Sequence, residues 1–317
     1  MIALTEIRTA AGRLAGSVHR TPMLPARRIG EHAGVALSLK CELFQKTGSF
    51  KARGALSKVL SLAPAARSCG LCTVSAGNHG AAVAWAARQF GAPSVVVMLS
   101  NASSSKVELV RAYGGEVVFH DDRATIFDKL REIERERGMV FVHSSNDPAV
   151  LAGSGTIGLE ILEDLPDVEV VVVPVGGGGL LGGVTSAIKH VAPRVRVVAV
   201  ELAEGPALAP ALAAGEPVPC PRPPNTLADG MTPPFVGALP LGIAKEAVDE
   251  VVGVTEREIV EAIGLLATRA KLCVEGSGAA ATAAVVAKKL SMPAGARVVA
   301  IVSGGNIDLQ QLLAAIA

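Results

Sequence analysis

Aromatic residues are scarce in this chain. Its 317 residues include one Trp, one Tyr and seven Phe, 3% in all. Stacking platforms for single-stranded nucleic acid need more than that. An excess of either charge is also missing: 30 Lys and Arg face 29 Asp and Glu, a net charge of +1. No basic field is available to hold a phosphate backbone, so no nucleic-acid partner is expected. Long apolar runs are absent too. The stretches 80–87 and 170–175 fall well short of the roughly 20 residues of a membrane span, so no membrane partner is expected. Near the N-terminus, Glu6, Arg8 and Arg13 alternate with apolar residues, as in an amphipathic helix rather than a signal peptide. The five cysteines (Cys41, Cys69, Cys72, Cys220 and Cys273) are odd in number and scattered. They suit a reduced, cytoplasmic protein rather than a disulfide framework. Cys69 and Cys72 have the spacing of half a zinc or redox site. With no second pair, and with Cys72 opening a strand, a structural reading is preferred.

Apolar residues are plentiful, at 50%, together with 34 Gly. Strand-like and helix-like patterns alternate along most of the chain. Strands are expected at 37–41, 71–74, 94–99, 116–120, 168–175, 195–201 and 298–302. Helices are expected from an N-cap at Ser49 to about 62, and at 78–90, 106–113, 124–137 and 180–191. Gly91 stops the second of these, and a Thr255/Glu258 capping box opens another to about 270. Such β-α-β repetition implies an α/β protein with two open, parallel-type sheets and helices on both faces. The segment 67–145 reads as a small domain inserted into a large one made of 1–66 and 146–317. The Pro-rich stretch 215–242 reads as a functional loop or flap.

Four motifs carry chemistry. In Lys46-Thr-Gly-Ser-Phe-Lys-Ala-Arg-Gly-Ala55, Lys51 sits in the first turn of a helix beside Phe50. A desolvated lysine there has a lowered pKa and serves as a nucleophilic amine, whereas a solvated one is an ordinary helix residue. Ser75-Ala76-Gly77-Asn78-His79-Gly80 turns from a strand into a helix, so its backbone amides suit a carboxylate or phosphate. Alternatively it is a plain turn, with His79 a helix-start residue. The run Gly176-Gly177-Gly178-Gly179 leaves a buried strand for a helix, which is costly unless the backbone must approach an anion. Its G-x-G-x-x-G spacing, with Glu201 ending the next strand, also fits a dinucleotide site, so an NAD-binding protein stays open as an alternative. Ser303-Gly-Gly-Asn306 places a hydroxyl at the carboxyl end of the last strand, where open α/β sheets bind ligands.

In order along the chain, KTGSFKARGA, SAGNHG, PVGGGGLLGG, LADGM and SGGN resemble the fold-type II pyridoxal-phosphate enzymes, in the serine/threonine dehydratase and serine racemase group. The likeness runs from about Arg20 to Leu309. It implies a tryptophan-synthase-β-like fold and pyridoxal 5′-phosphate as cofactor. Lys51 would be the Schiff-base lysine and Phe50 would support the ring. Asn78 would bind the 3′-oxygen, Gly176, Gly177, Gly178 and Gly179 the phosphate, and Ser303 the pyridine nitrogen. Ser75, Ala76, Gly77, Asn78 and His79 would receive the substrate carboxylate. The implied reaction is β-elimination from an L-β-hydroxy amino acid, such as L-threonine or L-serine, to a 2-keto acid and ammonia.

Three departures qualify the resemblance. Racemases of the group carry a serine where this chain has Ala76, so elimination with little D-product is expected, with a serine or amino-acid racemase as the alternative. Their metal site uses a Glu and an Asp, but Ala207 falls at the Asp position. No metal is therefore expected, with Glu201 left as the one candidate ligand. The runs 143–146 and 231–241 differ from plain threonine dehydratases. They either shape a pocket for another β-hydroxy amino acid, such as 3-hydroxyaspartate or phenylserine, or are drift. A homodimer without a C-terminal regulatory domain is the expected assembly.

Overall fold

The computed structural model describes residues 1–75, 77–223 and 226–316. Ten strands run in chain order: β1 (Met23–Pro25), β2 (Ala36–Cys41), β3 (Leu71–Val74), β4 (Ser94–Leu99), β5 (Glu116–His120), β6 (Val140–Phe141), β7 (Val170–Pro174), β8 (Arg196–Leu202), β9 (Glu250–Val254) and β10 (Arg297–Val302). They form a six-stranded sheet, β1-β2-β10-β7-β8-β9, and a four-stranded sheet, β5-β4-β3-β6. All pairings are parallel except that of β1 with β2. The expected α/β class with two open sheets therefore holds, with one antiparallel edge strand. β1 is only three residues long and contains Pro25, which an edge position tolerates because its outer N–H side has no partner strand.

The central strands are continuous apolar runs because helices cover both faces of the sheet. Residues 170–173 of β7 are at most 2% exposed and supply alternate side chains to the cores above and below. Two helices absent from the sequence reading pack here, Pro148–Asp164 and Gly276–Val286. The first starts at Asp147, whose Oδ1 accepts from the amides of Ala149 and Val150, with Pro148 at the first helical position. Both helices are apolar almost all round, so neither shows the one-sided periodicity that marks a surface helix.

The expected elements mostly stand within a few residues. The capping box is formed: Thr255 Oγ1 accepts from Glu258 N, and Glu258 Oε2 accepts from Thr255 N. One cap differs. The helix carrying Lys51 spans Lys51–Ser61, and Ser49 is extended, its buried hydroxyl without a partner among the described residues. Ser49 instead bridges to Gly304, tying the start of this helix to the segment after β10. Cys72 is buried in β3, Cys69 is exposed, and all five cysteines are free.

Candidate active site

The carboxyl ends of β3, β7 and β10 open into one cavity of about 610 Å³. Ligands of open α/β sheets bind at such strand ends. Phe50, Lys51, Ser75, Gly77, Asn78, His79, Gly176 to Gly179 and Ser303 all line it. Ala76 lies outside the described residues. The four motifs, spread from Lys46 to Asn306 along the chain, thus face one space.

Lys51 and Ser303 are held together through the backbone, since Phe50 N donates to Ser303 O at 3.0 Å. Lys51 Nζ donates to Ser144 O at 3.0 Å and lies 4.9 Å from the centre of the Phe50 ring. Burial lowers its pKa to about 8, against a smaller opposing pull from Glu275. The amine is therefore far closer to its neutral, nucleophilic form than a surface lysine. Two residues on, Arg53 is buried in a charge cluster that anchors this helix. Its guanidinium donates to Glu42 (2.9 and 2.8 Å) and to Glu160 (2.6 and 2.9 Å). Lys40 Nζ also reaches Glu160, at 2.7 Å.

β7 runs into the glycine turn at the start of helix Gly179–Val191. Here the amides of Gly176, Gly177 and Gly178 donate to no acceptor among the described residues. Gly178 has φ +91°, and a Cβ on it would lie 2.7 Å from Pro240 Cβ. A Cβ on Gly177 would lie 2.5 Å from Ser145 Oγ. A side chain would fill this cradle. Unused amides at a helix N-terminus are what a phosphate requires, so the residues fit the cofactor that the resemblance implies.

Asn78 begins helix Asn78–Arg88, and its amide is clamped at both ends. Nδ2 donates to Glu275 Oε1 at 2.7 Å, and Oδ1 accepts from Asn306 Nδ2 at 2.7 Å. This orientation leaves one Nδ2 hydrogen for a ligand. Burial, reinforced by Asp229, raises Glu275 to about 8, so its carboxyl is largely protonated at neutral pH. The sequence reading missed Glu275, whose only signal was its place before the apolar Gly276–Val286 helix. Ser75 Oγ accepts from Gly77 N at 3.1 Å, closing the turn. His79 is buried against Val142 O, and burial lowers its pKa to about 3. Ser303 Oγ donates to Ser277 O at 3.3 Å.

Across the cavity, Lys106 pairs with Asp229 of the LADGM motif. The Pro-rich loop also contributes to the lining, through Arg222, Met231 and Phe235 among others. Glu201 lies elsewhere. Its carboxylate accepts from the amides of Ala207, Leu208 and Ala209, capping helix Leu208–Ala214. In this arrangement the carboxylate serves as a helix cap and does not line the cavity. Among the described residues, no group of three His, Cys, Asp or Glu side chains is placed to hold a metal ion. No helix of the described residues is long and apolar enough to cross a membrane.

Comparison with known proteins agrees with this geometry. Residues 14–304 match the family model described as pyridoxal-phosphate dependent enzyme. The L-threonine ammonia-lyase of Thermotoga maritima is 45% identical over 98% of this chain and 77% of the relative. Among solved structures, maize serine racemase has a TM-score of 0.94 at 37% identity, covering 100% of this chain and 97% of that one. A threonine deaminase from T.th. has a TM-score of 0.91 at 39% identity, covering 97% and 99%. The fold is that of fold-type II pyridoxal-phosphate enzymes. Since the matched span runs from ahead of β1 to beyond β10 and includes both sheets, Lys51, the glycine turn and Ser303, the chain belongs to the pyridoxal-phosphate dependent enzyme family.

Proposed function

We propose that this protein catalyses β-elimination from an L-β-hydroxy amino acid, L-threonine or L-serine, giving a 2-keto acid and ammonia. The carrying observation is the buried Lys51 amine, with a pKa of about 8, facing the unused amides of the glycine turn across one cavity. The likeness to threonine ammonia-lyase and threonine deaminase supports the choice of substrate.

When bound, pyridoxal 5′-phosphate supplies an electron sink for charge developing at the substrate Cα. The chain's own groups have distinct tasks. Lys51 would hold the cofactor through its amine and, when that amine is free, would take the Cα proton on Nζ, with Ser144 O as its resting acceptor. The amides of Gly176 to Gly179 bind the phosphate, and Phe50 supports the ring. Asn78 offers its remaining Nδ2 hydrogen to the 3′-oxygen, in an orientation fixed by Glu275 and Asn306. Ser303 presents a neutral hydroxyl, not a carboxylate, to the ring nitrogen. That choice restrains delocalisation into the ring and favours expulsion of the β-hydroxyl. The turn at 75–79 receives the α-carboxylate at a helix N-terminus.

In this reading the four-stranded sheet belongs to a small domain, 67–145, that carries the carboxylate turn. The large domain, 1–66 with 146–317, carries Lys51, the glycine turn and Ser303. The five free cysteines suit the cytoplasm, and a homodimer is the proposed assembly, to be checked by sedimentation. Borohydride reduction followed by peptide mapping tests the site itself. The pyridoxyl group is expected on Lys51; a label elsewhere, or none, overturns the assignment.

A further inference from the structure

Two histidines line the cavity, and the reaction above uses neither as an acid or a base. Their hydrogen bonds limit what each can do. His79 Nε2 lies 2.9 Å from Val142 O. A carbonyl only accepts, so Nε2 bears the proton, and the buried Nδ1 has no partner among the described residues. His143 is fixed from the opposite nitrogen. Its Nδ1 accepts from the backbone amides of Ser145 (3.1 Å) and Asn146 (2.9 Å). With two N–H groups aimed at it, Nδ1 has no room for a proton of its own, and the ring proton must sit on Nε2.

That Nε2–H has no hydrogen-bond partner among the described residues, and the residue faces the cavity. The ring is held by Phe141, 5.5 Å away between centroids, which in turn meets Phe127 edge-on at 6.5 Å. Its charged and titratable neighbours come from three elements. Lys51 on helix Lys51–Ser61 and His79 on helix Asn78–Arg88 oppose a positive charge on the ring, whereas Asp147 at the cap of Pro148–Asp164 favours one. Burial is the largest influence, and the imidazole pKa is lowered.

We propose that His143 is a substrate contact and not a proton carrier: an Nε2–H donor, locked by the Ser145 and Asn146 amides, that takes the β-hydroxyl oxygen of the substrate. The choice of oxygen rests on the function proposed above. There the α-carboxylate goes to the turn at 75–79 and Lys51 shuttles the Cα proton, which leaves the β-oxygen without a fixed hydrogen-bond donor from the chain. Residues 143–145 lie on the remaining side, between the Lys51 amine and the glycine turn. Lys51 Nζ rests on Ser144 O, and a Cβ on Gly179 would lie 3.0 Å from Ser145 Cα. As the Cβ–O bond breaks, the oxygen leaves as water with the proton that Lys51 Nζ has taken from Cα, while the His143 donor stabilises it without surrendering its own. Neither histidine can then replace the hydroxyl that racemases of this group have at the position of Ala76.

His143→Asn separates this role from a structural one. The asparagine oxygen can still accept from the Ser145 and Asn146 amides, but no donor reaches as far as Nε2. For L-serine, kcat/KM is expected to fall about 10- to 100-fold, the usual range for loss of a hydrogen bond to a charged or charging atom. For L-β-chloroalanine, whose chloride leaves without a donor, it should stay within about threefold by the same argument. His143→Gln, with an N–H near the Nε2 position, should recover part of the L-serine rate. The shape of the pH profile should be unchanged in both variants. In the wild-type holoenzyme, 15N spectra of labelled histidine should show His143 protonated on Nε2 alone throughout the neutral range. Equal losses on the two substrates, no loss on L-serine, or a His143 that titrates or carries its proton on Nδ1 would each overturn the inference. A wild-type enzyme that turns over neither substrate would instead overturn the proposed function, and this contact with it.

Discussion

Replacing Gly178 by valine should strip the protein of its cofactor while leaving the fold in place. The magnitude follows from the turn. Gly178 has φ +91°, where an L-residue costs about 1–2 kcal/mol. Its ideal Cβ would lie 2.7 Å from Pro240 Cβ and 3.3 Å from Val236 Cγ1, so the backbone has to move. The three unused amides at 176–178 move with it. A hydrogen bond to a charged phosphate contributes about 1.5–3 kcal/mol. Misaligning one amide therefore weakens binding roughly 10- to 100-fold, and misaligning two weakens it by up to about 10⁴-fold. Equilibrium dialysis followed by cofactor absorbance reads the affinity, and circular dichroism on the same sample reads the fold. Gly242→Ala is the control, because that helical glycine has nothing within 4 Å of a new Cβ. Retention should be unchanged there, with stability gained by up to about 1 kcal/mol. Wild-type retention in Gly178→Val would refute the phosphate assignment.

Three further outcomes follow from the buried charges. In cofactor-free protein, acetylation of Lys51, read by peptide mapping, should rise with pH through a midpoint near 8; a midpoint near 10.5 would contradict its burial. Arg53→Met leaves Glu42 with no cation and Glu160 with Lys40 alone, so unfolding should become easier by about 3–5 kcal/mol. A melting temperature equal to wild type would dismiss the cluster as an anchor. Glu275 has its pKa raised from 4.5 to about 8 on folding, so the folded state holds a proton that the unfolded state has lost between those values. This contribution to stability is complete below pH 4.5 and is lost as pH rises through 8. Glu275→Gln can still accept from Asn78 and should remove that slope; a melting temperature with the wild-type pH dependence would contradict the assignment.

Legibility from sequence depended on whether a residue's role was local. Asn78, the four glycines and Ser303 stand in short motifs just past strand ends, and Lys51 in one that opens a helix, so local sequence marks each of them. Glu275 and Ser144 escaped because their roles exist only across long separations. Glu275 meets Asn78 nearly two hundred positions away, and Ser144 meets Lys51 through a backbone carbonyl, which no residue type advertises. Helices Pro148–Asp164 and Gly276–Val286 were missed for another reason. Buried on every side and rich in glycine or alanine, they lack a polar face, although Asp147-Pro148 was a usable start signal. Residue type alone makes Ser49 a cap, but a backbone bridge to Gly304 holds it extended. Glu201 has the right spacing for a ribose acid, yet three amides of its own loop claim the carboxylate.

The balance of products from one incubation tests the central claim most directly. The wild-type enzyme is supplied with L-serine and, separately, L-threonine, and 2-keto acid, ammonia and D-amino acid are measured together. Lys51 suffices to take the Cα proton, whereas alanine at position 76 carries no group that can donate one, and absence of a positioned acid costs about 10²–10⁴-fold. The account predicts keto acid and ammonia in equal amounts with little D-isomer, and a higher ratio of racemisation to elimination in Ala76→Ser. D-serine appearing as fast as pyruvate in the wild-type enzyme would contradict it.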